Sequence, residues 1–109
     1  MQLLGKTVVV TGGGRGLGRA YCESLAEQGA NVVAADIRDT GNTIEAVKSA
    51  GGHAIGVHLD VTDPISCNDM ANAAIEAYGR IDSLVNNAAL YGDISVSYTH
   101  LTLPTTPYV

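Results

Sequence analysis

A run of glycines directly after a short apolar segment most constrains how this chain can fold. The run is TGGGRGLG at residues 11–18, and it follows KTVVV at residues 6–10, which has the pattern of a buried β-strand. The next segment, residues 17–28, has a helical pattern that Gly29 closes. A strand, a glycine-rich turn and a helix N-terminus form a binding place for phosphate, because glycine lets the backbone approach a ligand and the first helical turn has unpaired N–H groups.

Short apolar runs alternate with helical patterns along most of the chain. The apolar runs lie at residues 6–10, 31–35, 53–59 and 82–86, and the helical patterns at residues 17–28, 42–50 and 65–78. Thr62-Asp63-Pro64 opens the last helical pattern with a cap candidate and a proline, and Gly79 closes it. The runs lack strict polar alternation, which is typical of parallel strands buried on both faces. The β-α-β-α-β-α-β order predicts an α/β fold, a doubly wound parallel sheet, and right-handed crossovers predict the strand order 3-2-1-4.

Composition narrows the class of protein. The chain has 109 residues, enough for one small domain, and a net charge of −5, which disfavours nucleic acid as a partner. It contains no apolar run long enough to span a membrane and no signal-peptide pattern at its N-terminus. Cys22 and Cys67 are far apart, so we expect free thiols in a reducing compartment, the cytoplasm.

An acidic residue follows the glycine run at an informative distance. Asp36 comes directly after the second apolar run, 18 positions after Gly18, where a carboxylate can accept hydrogen bonds from the hydroxyls of an adenosine ribose. Such a carboxylate repels a 2′-phosphate, so Asp36 favours NAD over NADP. Arg15 favours NADP instead, because a cation in the glycine turn could contact a 2′-phosphate, unless its side chain is solvated or pairs with Asp36.

The combined motifs resemble those of the short-chain dehydrogenase/reductase family. The glycine spacing Thr11-Gly12-x-x-x-Gly16-x-Gly18 is similar to the family's cofactor turn, and three further motifs follow in order: Asp36, Asp60-Val61 and Asn86-Asn87-Ala88-Ala89. The last motif resembles Asn-Asn-Ala-Gly, with Ala89 in place of glycine. The resemblance covers residues 3–94, and the sequence is similar to the compact type that includes 3-oxoacyl-carrier-protein reductases and small alcohol or steroid dehydrogenases, with nothing to separate these subgroups.

The resemblance implies a Rossmann fold and a set of cofactor-binding residues. That set is Gly12, Arg15, Gly16, Leu17, Gly18, Asp36, Asp60, Val61, Asn86 and Ala88, with Asp60 near the adenine and Ala88 beside the cofactor. Structural alternatives stay open for several of them: tight helix–strand packing for the glycines, helix capping for Asp60, and a tie between strand four and its neighbours for Asn86. His53 and His58 lack partners at ligand spacing, so we assign no metal.

The residues that carry catalysis in the family have no counterpart in this sequence. Relatives transfer a hydride between a nicotinamide and an alcohol or carbonyl substrate, using a serine, an asparagine, a tyrosine and a lysine four residues after the tyrosine. This chain contains no Tyr-x-x-x-Lys, since its lysines are Lys6 and Lys48. We therefore expect the cofactor-binding half of an oxidoreductase, inactive alone, whose full-length parent is a homo-oligomer.

A non-catalytic nucleotide-binding module is the alternative. A methyltransferase is disfavoured by the glycine spacing and the Asn86 motif.

The last fifteen residues differ in character from the rest. Residues 1–94 form the expected N-terminal part of the dinucleotide-binding domain. In the segment that follows, residues 96–105 match one translated frame of a transposon-based sequencing adaptor, residues 106–108 would correspond to a variable barcode, and Val109 resumes the match. We expect residues 95–109 to be a non-native tail; an edge strand is the alternative. Because strand four would then lack its next neighbour, we also expect poor solubility.

Overall fold

The computed structural model describes residues 2–14 and 16–87. Strands and helices alternate as the sequence predicts: β1 (Thr7–Thr11), α1 (Gly16–Glu27), β2 (Asn31–Asp36), α2 (Gly41–Ser49), β3 (His53–His58), α3 (Pro64–Tyr78) and β4 (Ser83–Val85). All bounds agree with the predicted ones to within a residue. Strand β4 is one residue shorter than its apolar run at each end, and its pairing with β1 ends at Val85. The predicted tail at residues 95–109 lies outside the described residues.

The four strands form one parallel sheet in the order β3-β2-β1-β4, which confirms the predicted topology. The chain moves outward from β1 to β2 and β3, then crosses to the other side of β1 to form β4. The carboxyl ends of β1 and β4 therefore flank the point where the strand order reverses. In open α/β sheets, ligands bind in the crevice at this point.

Both faces of the sheet are covered, which explains why β1 and β2 are apolar without alternation. On one face, Val9 and Val33 pack in a core cluster with Met70 of α3. On the other face, Val8 and Val32 pack with side chains of α1 and α2. All five residues of β1 are buried, so this strand is the centre of the described structure.

Helix α3 begins and ends where the sequence predicts. Asp63 is its N-cap, since the Asp63 side chain accepts a hydrogen bond from the Ile65 N–H at 2.9 Å, and Pro64 follows in the first turn. Gly79 ends the helix with φ of 80°, a left-handed conformation that favours glycine. Within the described residues, no helix has both the length and the apolar character that a membrane crossing requires.

Both cysteines are free, as predicted. Cys22 is fully buried on α1, and burial raises the pKa of its thiol to about 12. Cys67 is half-buried on α3, and its pKa is also raised by burial. Both thiols are therefore protonated at neutral pH and act as small apolar groups in the packing.

The start of β4 is fixed to the start of β1 by Asp82. Its Oδ2 accepts a hydrogen bond from the Thr7 N–H at 2.8 Å, and its own N–H donates to the Thr7 carbonyl at 2.8 Å. The Arg80 guanidinium lies 2.9 Å from the same carboxylate through Nε. This contact with Arg80 is the main reason that the pKa of the Asp82 carboxyl is lowered.

Truncation of Met70 tests the packing between α3 and the sheet. Met70 is fully buried, so Met70→Ala should lower the free energy of unfolding by about 2–5 kcal/mol through lost burial and a cavity. Ile65 on the same helix is 72% exposed, so Ile65→Ala should change the free energy of unfolding by roughly 0.5 kcal/mol at most. Urea denaturation followed by circular dichroism measures both. Equal losses would contradict the packing described.

Acid should weaken the contact between β4 and β1. The folded-state pKa of Asp82 is lowered, so its carboxylate stabilises the fold above the unfolded-state pKa of about 3.9, and this contribution is lost as pH falls through the folded-state value. The difference in unfolding free energy between the unsubstituted chain and Asp82→Asn should therefore be largest near neutral pH and shrink in acid. Asp69→Asn, an exposed carboxyl on α3, is the control. A difference that does not vary with pH would argue against this role.

Candidate functional site

The glycine turn lies at the carboxyl edge of the sheet, between β1 and the start of α1. Neighbouring segments hold it from both sides. The Gly13 N–H donates to the Ala35 carbonyl on β2 at 3.3 Å, and the Asn87 side-chain amide donates to the Gly12 carbonyl at 3.2 Å. The turn therefore joins the ends of β1, β2 and β4 at the place where the strand order reverses.

The glycines of this turn serve different purposes. Gly12 and Gly16 have φ of 66° and 59°, left-handed values that strain other residues. At Gly18, a side chain would overlap the Gly12 carbonyl oxygen and come within 2.7 Å of the Asn87 amide nitrogen. The packing alternative thus applies to Gly18, whereas Gly12 and Gly16 are required by the backbone conformation of the turn.

Asp36 lies at the end of β2 and faces the glycine turn. Its Oδ2 accepts a hydrogen bond from the Gly14 N–H at 2.9 Å, and its Oδ1 accepts one from the Arg38 N–H at 3.1 Å. A Cβ at Gly14 would lie 2.8 Å from Oδ2, so this approach requires glycine there. Each carboxylate oxygen has a second lone pair, so the side chain is oriented and can still accept from a ligand.

Asp60 follows β3, the strand that pairs with β2. Its Oδ1 accepts hydrogen bonds from the Thr62 hydroxyl at 2.6 Å and the Thr62 N–H at 3.0 Å, and these two contacts hold the pKa of the Asp60 carboxyl below its usual range. The capping alternative for Asp60 is wrong, because Asp63 caps α3. Val61 is half-buried and packs against the core cluster on the α3 face.

The residues after β4 differ from expectation in one respect. Asn87 donates the hydrogen bond to the glycine turn through its amide nitrogen, and the side-chain oxygens of Asn86 and Asn87 are both buried with no partner within residues 2–14 and 16–87. In this range Asn87 therefore supplies the tie that was expected of Asn86. Asn87 packs against Gly18, which lies 69 positions earlier in the sequence, so no local pattern indicates this contact.

The structure brings together only part of the predicted set. Gly12, Gly18 and Asp36 meet around the turn. The Leu59 N–H donates to the Asp36 carbonyl at 2.9 Å, so the end of β3 lies next to the end of β2. Leu17 is 49% exposed in the first turn of α1. Arg15 and Ala88 lie outside the described residues.

Two residues that make polar contacts at this edge were not predicted from the sequence. The Gly14 N–H contacts Asp36, and the buried Thr43 hydroxyl of α2 donates to the Gly13 carbonyl at 2.8 Å. Gly14 stands inside the glycine run, which is a signal, but nothing in the pattern around Thr43 sets it apart from a surface threonine.

A groove of about 330 Å³ lies at the opposite edge of the sheet. It is lined by the C-terminal parts of α1 and α2, including Glu23, Glu27 and Val47. The glycine turn and Asp36 do not contribute to it, so this groove is separate from the candidate site.

Adding a methyl group at Gly18 should break the contact between α1 and the turn. Gly18→Ala should destabilise the fold by about 1–3 kcal/mol, because the nearest atoms belong to the Gly12 backbone, which cannot move alone. Gly41→Ala is the matched control, since the nearest atom there is the Asp39 side-chain oxygen at 3.2 Å, which can rotate away. Thermal unfolding of both variants measures the effect. A tolerated Gly18→Ala would refute the close packing.

Comparison with known proteins agrees with this fold. The model of the short chain dehydrogenase family matches residues 6–103, a range that includes the first part of the predicted tail. The chain is 39% identical over 93 residues to a fluoren-9-ol dehydrogenase of a Terrabacter species, covering 84% of this chain and 26% of the relative. It is 41% identical over 95 residues to a sorbitol dehydrogenase of Cereibacter sphaeroides, covering 84% and 35%.

A solved structure shows the same architecture. The hydroxysteroid dehydrogenase of Escherichia coli superimposes with a TM-score of 0.76 at 32% identity, covering 78% of this chain and 37% of that one. The chain thus spans well under half the length of these relatives. The family match extends over most of the chain, and the parallel sheet order β3-β2-β1-β4 agrees with it. The chain belongs to the short-chain dehydrogenase family.

Proposed function

We propose that this chain binds the adenosine half of NAD at the carboxyl edge of the sheet. The observation that carries the proposal is the Asp36 carboxylate, held 2.9 Å from the Gly14 N–H at the end of β2 beside the glycine turn. Its free lone pairs can accept hydrogen bonds from the two ribose hydroxyls. The family supports a nicotinamide dinucleotide as the ligand.

The residues around the turn fit a dinucleotide. Gly12 and Gly16 adopt the left-handed φ values that shape the turn, and Gly16 and Leu17 are exposed at the start of α1, where the unpaired N–H groups of a helix N-terminus favour a pyrophosphate. In this proposal Arg15, Leu17 and Gly18 belong to the same turn. The proposal assigns Asp60 and Val61 to the adenine, and Asn86 and Ala88 to the remainder of the cofactor.

Asp36 is the reason that we propose NAD in preference to NADP. A carboxylate already fixed by two backbone N–H groups cannot turn away from a 2′-phosphate without losing them, so the repulsion has no simple relief. Arg15 is the one residue of the predicted set that favours NADP.

The full-length parent is proposed to be an oxidoreductase acting on a small alcohol or carbonyl compound. The names of relatives, fluoren-9-ol dehydrogenase and sorbitol dehydrogenase, support this class of substrate. A bound nicotinamide dinucleotide supplies the hydride exchange. The 109-residue chain is proposed to bind the cofactor without catalysing the reaction, because it contains no Tyr-x-x-x-Lys.

Two protonated, free cysteines support a cytoplasmic location, and a homo-oligomeric parent is part of the same proposal.

A non-catalytic nucleotide-binding module is the second candidate, and the missing Tyr-x-x-x-Lys is the observation that favours it. The two candidates differ in the DNA downstream of the coding sequence. A continuing frame with a serine and a Tyr-x-x-x-Lys selects the dehydrogenase, and a native stop codon selects the module. The same sequencing tests whether residues 95–109 are adaptor-derived, because a native gene through this region would rule that out.

Replacing Asp36 should change both affinity and cofactor preference. Asp36→Ala should weaken NAD binding by about ten- to a hundredfold, since hydrogen bonds to a charged group contribute about 1.5–3 kcal/mol. NADP binding should weaken less or improve, because the repulsion is removed. Calorimetry on the 109-residue chain measures both ligands. Asp69→Ala, an exposed acid on α3, is the control for net charge. Equal losses for the two cofactors would speak against the assigned role.

A further inference from the structure

Thr43 is a polar residue in an unusual position. It lies in the first turn of α2, yet its side chain is fully buried. Its hydroxyl donates to the Gly13 carbonyl, 30 positions earlier in the chain, at 2.8 Å. Apolar neighbours such as Val47 already anchor α2 to the sheet, so the hydroxyl is not needed for burial alone.

The peptide group that Thr43 contacts also contacts Asp36. The Gly13 carbonyl and the Gly14 N–H belong to one peptide unit, and the Gly14 N–H donates to the Asp36 Oδ2 at 2.9 Å. In a trans peptide the carbonyl and the N–H point in opposite directions. Thr43 and Asp36 therefore hold the two sides of the same planar group.

This peptide needs such a restraint because it lies between two glycines. Without a Cβ on either side, both flanking residues can rotate into conformations that reverse the peptide. A reversed peptide would direct the Gly13 carbonyl oxygen at the Asp36 carboxylate and remove its donor. Within residues 2–14 and 16–87, Thr43 is the side chain that donates to the Gly13 carbonyl and so opposes this reversal.

We infer that Thr43 is a positioning residue for the cofactor carboxylate. It fixes the Gly13–Gly14 peptide, the peptide fixes one oxygen of Asp36, and the remaining lone pairs are then directed at the ribose. The β-branched side chain suits this task, since its χ1 angle is restricted. The inference rests on the proposed function for the ribose step, but the Thr43–peptide–Asp36 contact can be tested without any ligand.

The first test observes the Gly14 amide by NMR in the ¹⁵N-labelled 109-residue chain. Thr43→Val keeps the shape of the side chain and removes the hydroxyl, so it should shift the Gly14 amide proton upfield and speed its exchange with solvent. Thr43→Ser keeps a hydroxyl and should restore both. Thr40→Val, just before α2, is the matched control, because Thr40 makes no side-chain capping bond. An unchanged Gly14 amide in Thr43→Val would overturn the inference.

The second test measures binding of ADP-ribose, which contains the adenosine half alone. Thr43→Val should weaken binding about tenfold, the effect of one lost hydrogen bond, and Thr43→Ser should bind as the unsubstituted chain does. In an Asp36→Ala background, Thr43→Val should cause no further loss, because Thr43 acts through Asp36. A merely structural role would give the same tenfold loss in both backgrounds, and that result would overturn the inference.

The two tests separate failure of the inference from failure of the proposed function. If the unsubstituted chain binds no ADP-ribose, the proposed function fails, and the Gly14 amide alone then supports or overturns the positioning role. If ADP-ribose binds and Thr43→Val changes neither readout, the proposed function stands and the inference fails. Circular dichroism checks that each variant is folded, and if Thr43→Val is not, Thr43→Ala removes the same hydroxyl and takes its place in both tests.

Discussion

The contact between α1 and the glycine turn is the constraint on which the rest of the carboxyl edge depends. Gly18 lies directly against the Gly12 carbonyl, with no room for a side chain. This approach brings the N-terminus of α1 to the end of β1 and leaves the Gly12 carbonyl to accept from Asn87. A single position without a Cβ thereby sets how the helix, the turn and the segment after β4 meet.

From that contact, the polar groups of the edge form a connected set. The turn is joined to β2 through Gly14 and Asp36, to α2 through Thr43, and to β3 through the hydrogen bond between the Leu59 N–H and the Asp36 carbonyl. These groups lie on segments far apart in sequence. The sheet topology brings them together where the strand order reverses, which is why the edge can offer both N–H donors and a carboxylate to one ligand.

Much of this arrangement could be predicted from the sequence because it depends on local patterns. Short β-branched runs separated by helical patterns predict the parallel sheet and its order, Asp63-Pro64 and Gly79 predict the ends of α3, and Asp36 is found by its spacing from Gly18. Thr43 could not be found this way, since its partner is chosen by how α2 packs on the sheet. Asn87 belongs to the predicted motif, but the tie to neighbouring segments was expected of Asn86. Only the three-dimensional packing shows that Asn87 is the side chain that contacts the glycine turn.

The most direct test of the account is an NMR titration of the ¹⁵N-labelled chain with NAD. The account predicts that amide shifts change at the carboxyl edge, in Gly12 to Gly18, around Asp36 and at Asp60 and Val61. The groove near Glu23 and Glu27 should remain unaffected. Shifts centred on that groove, or no change at millimolar NAD, would contradict the claim that this edge of the sheet binds the cofactor.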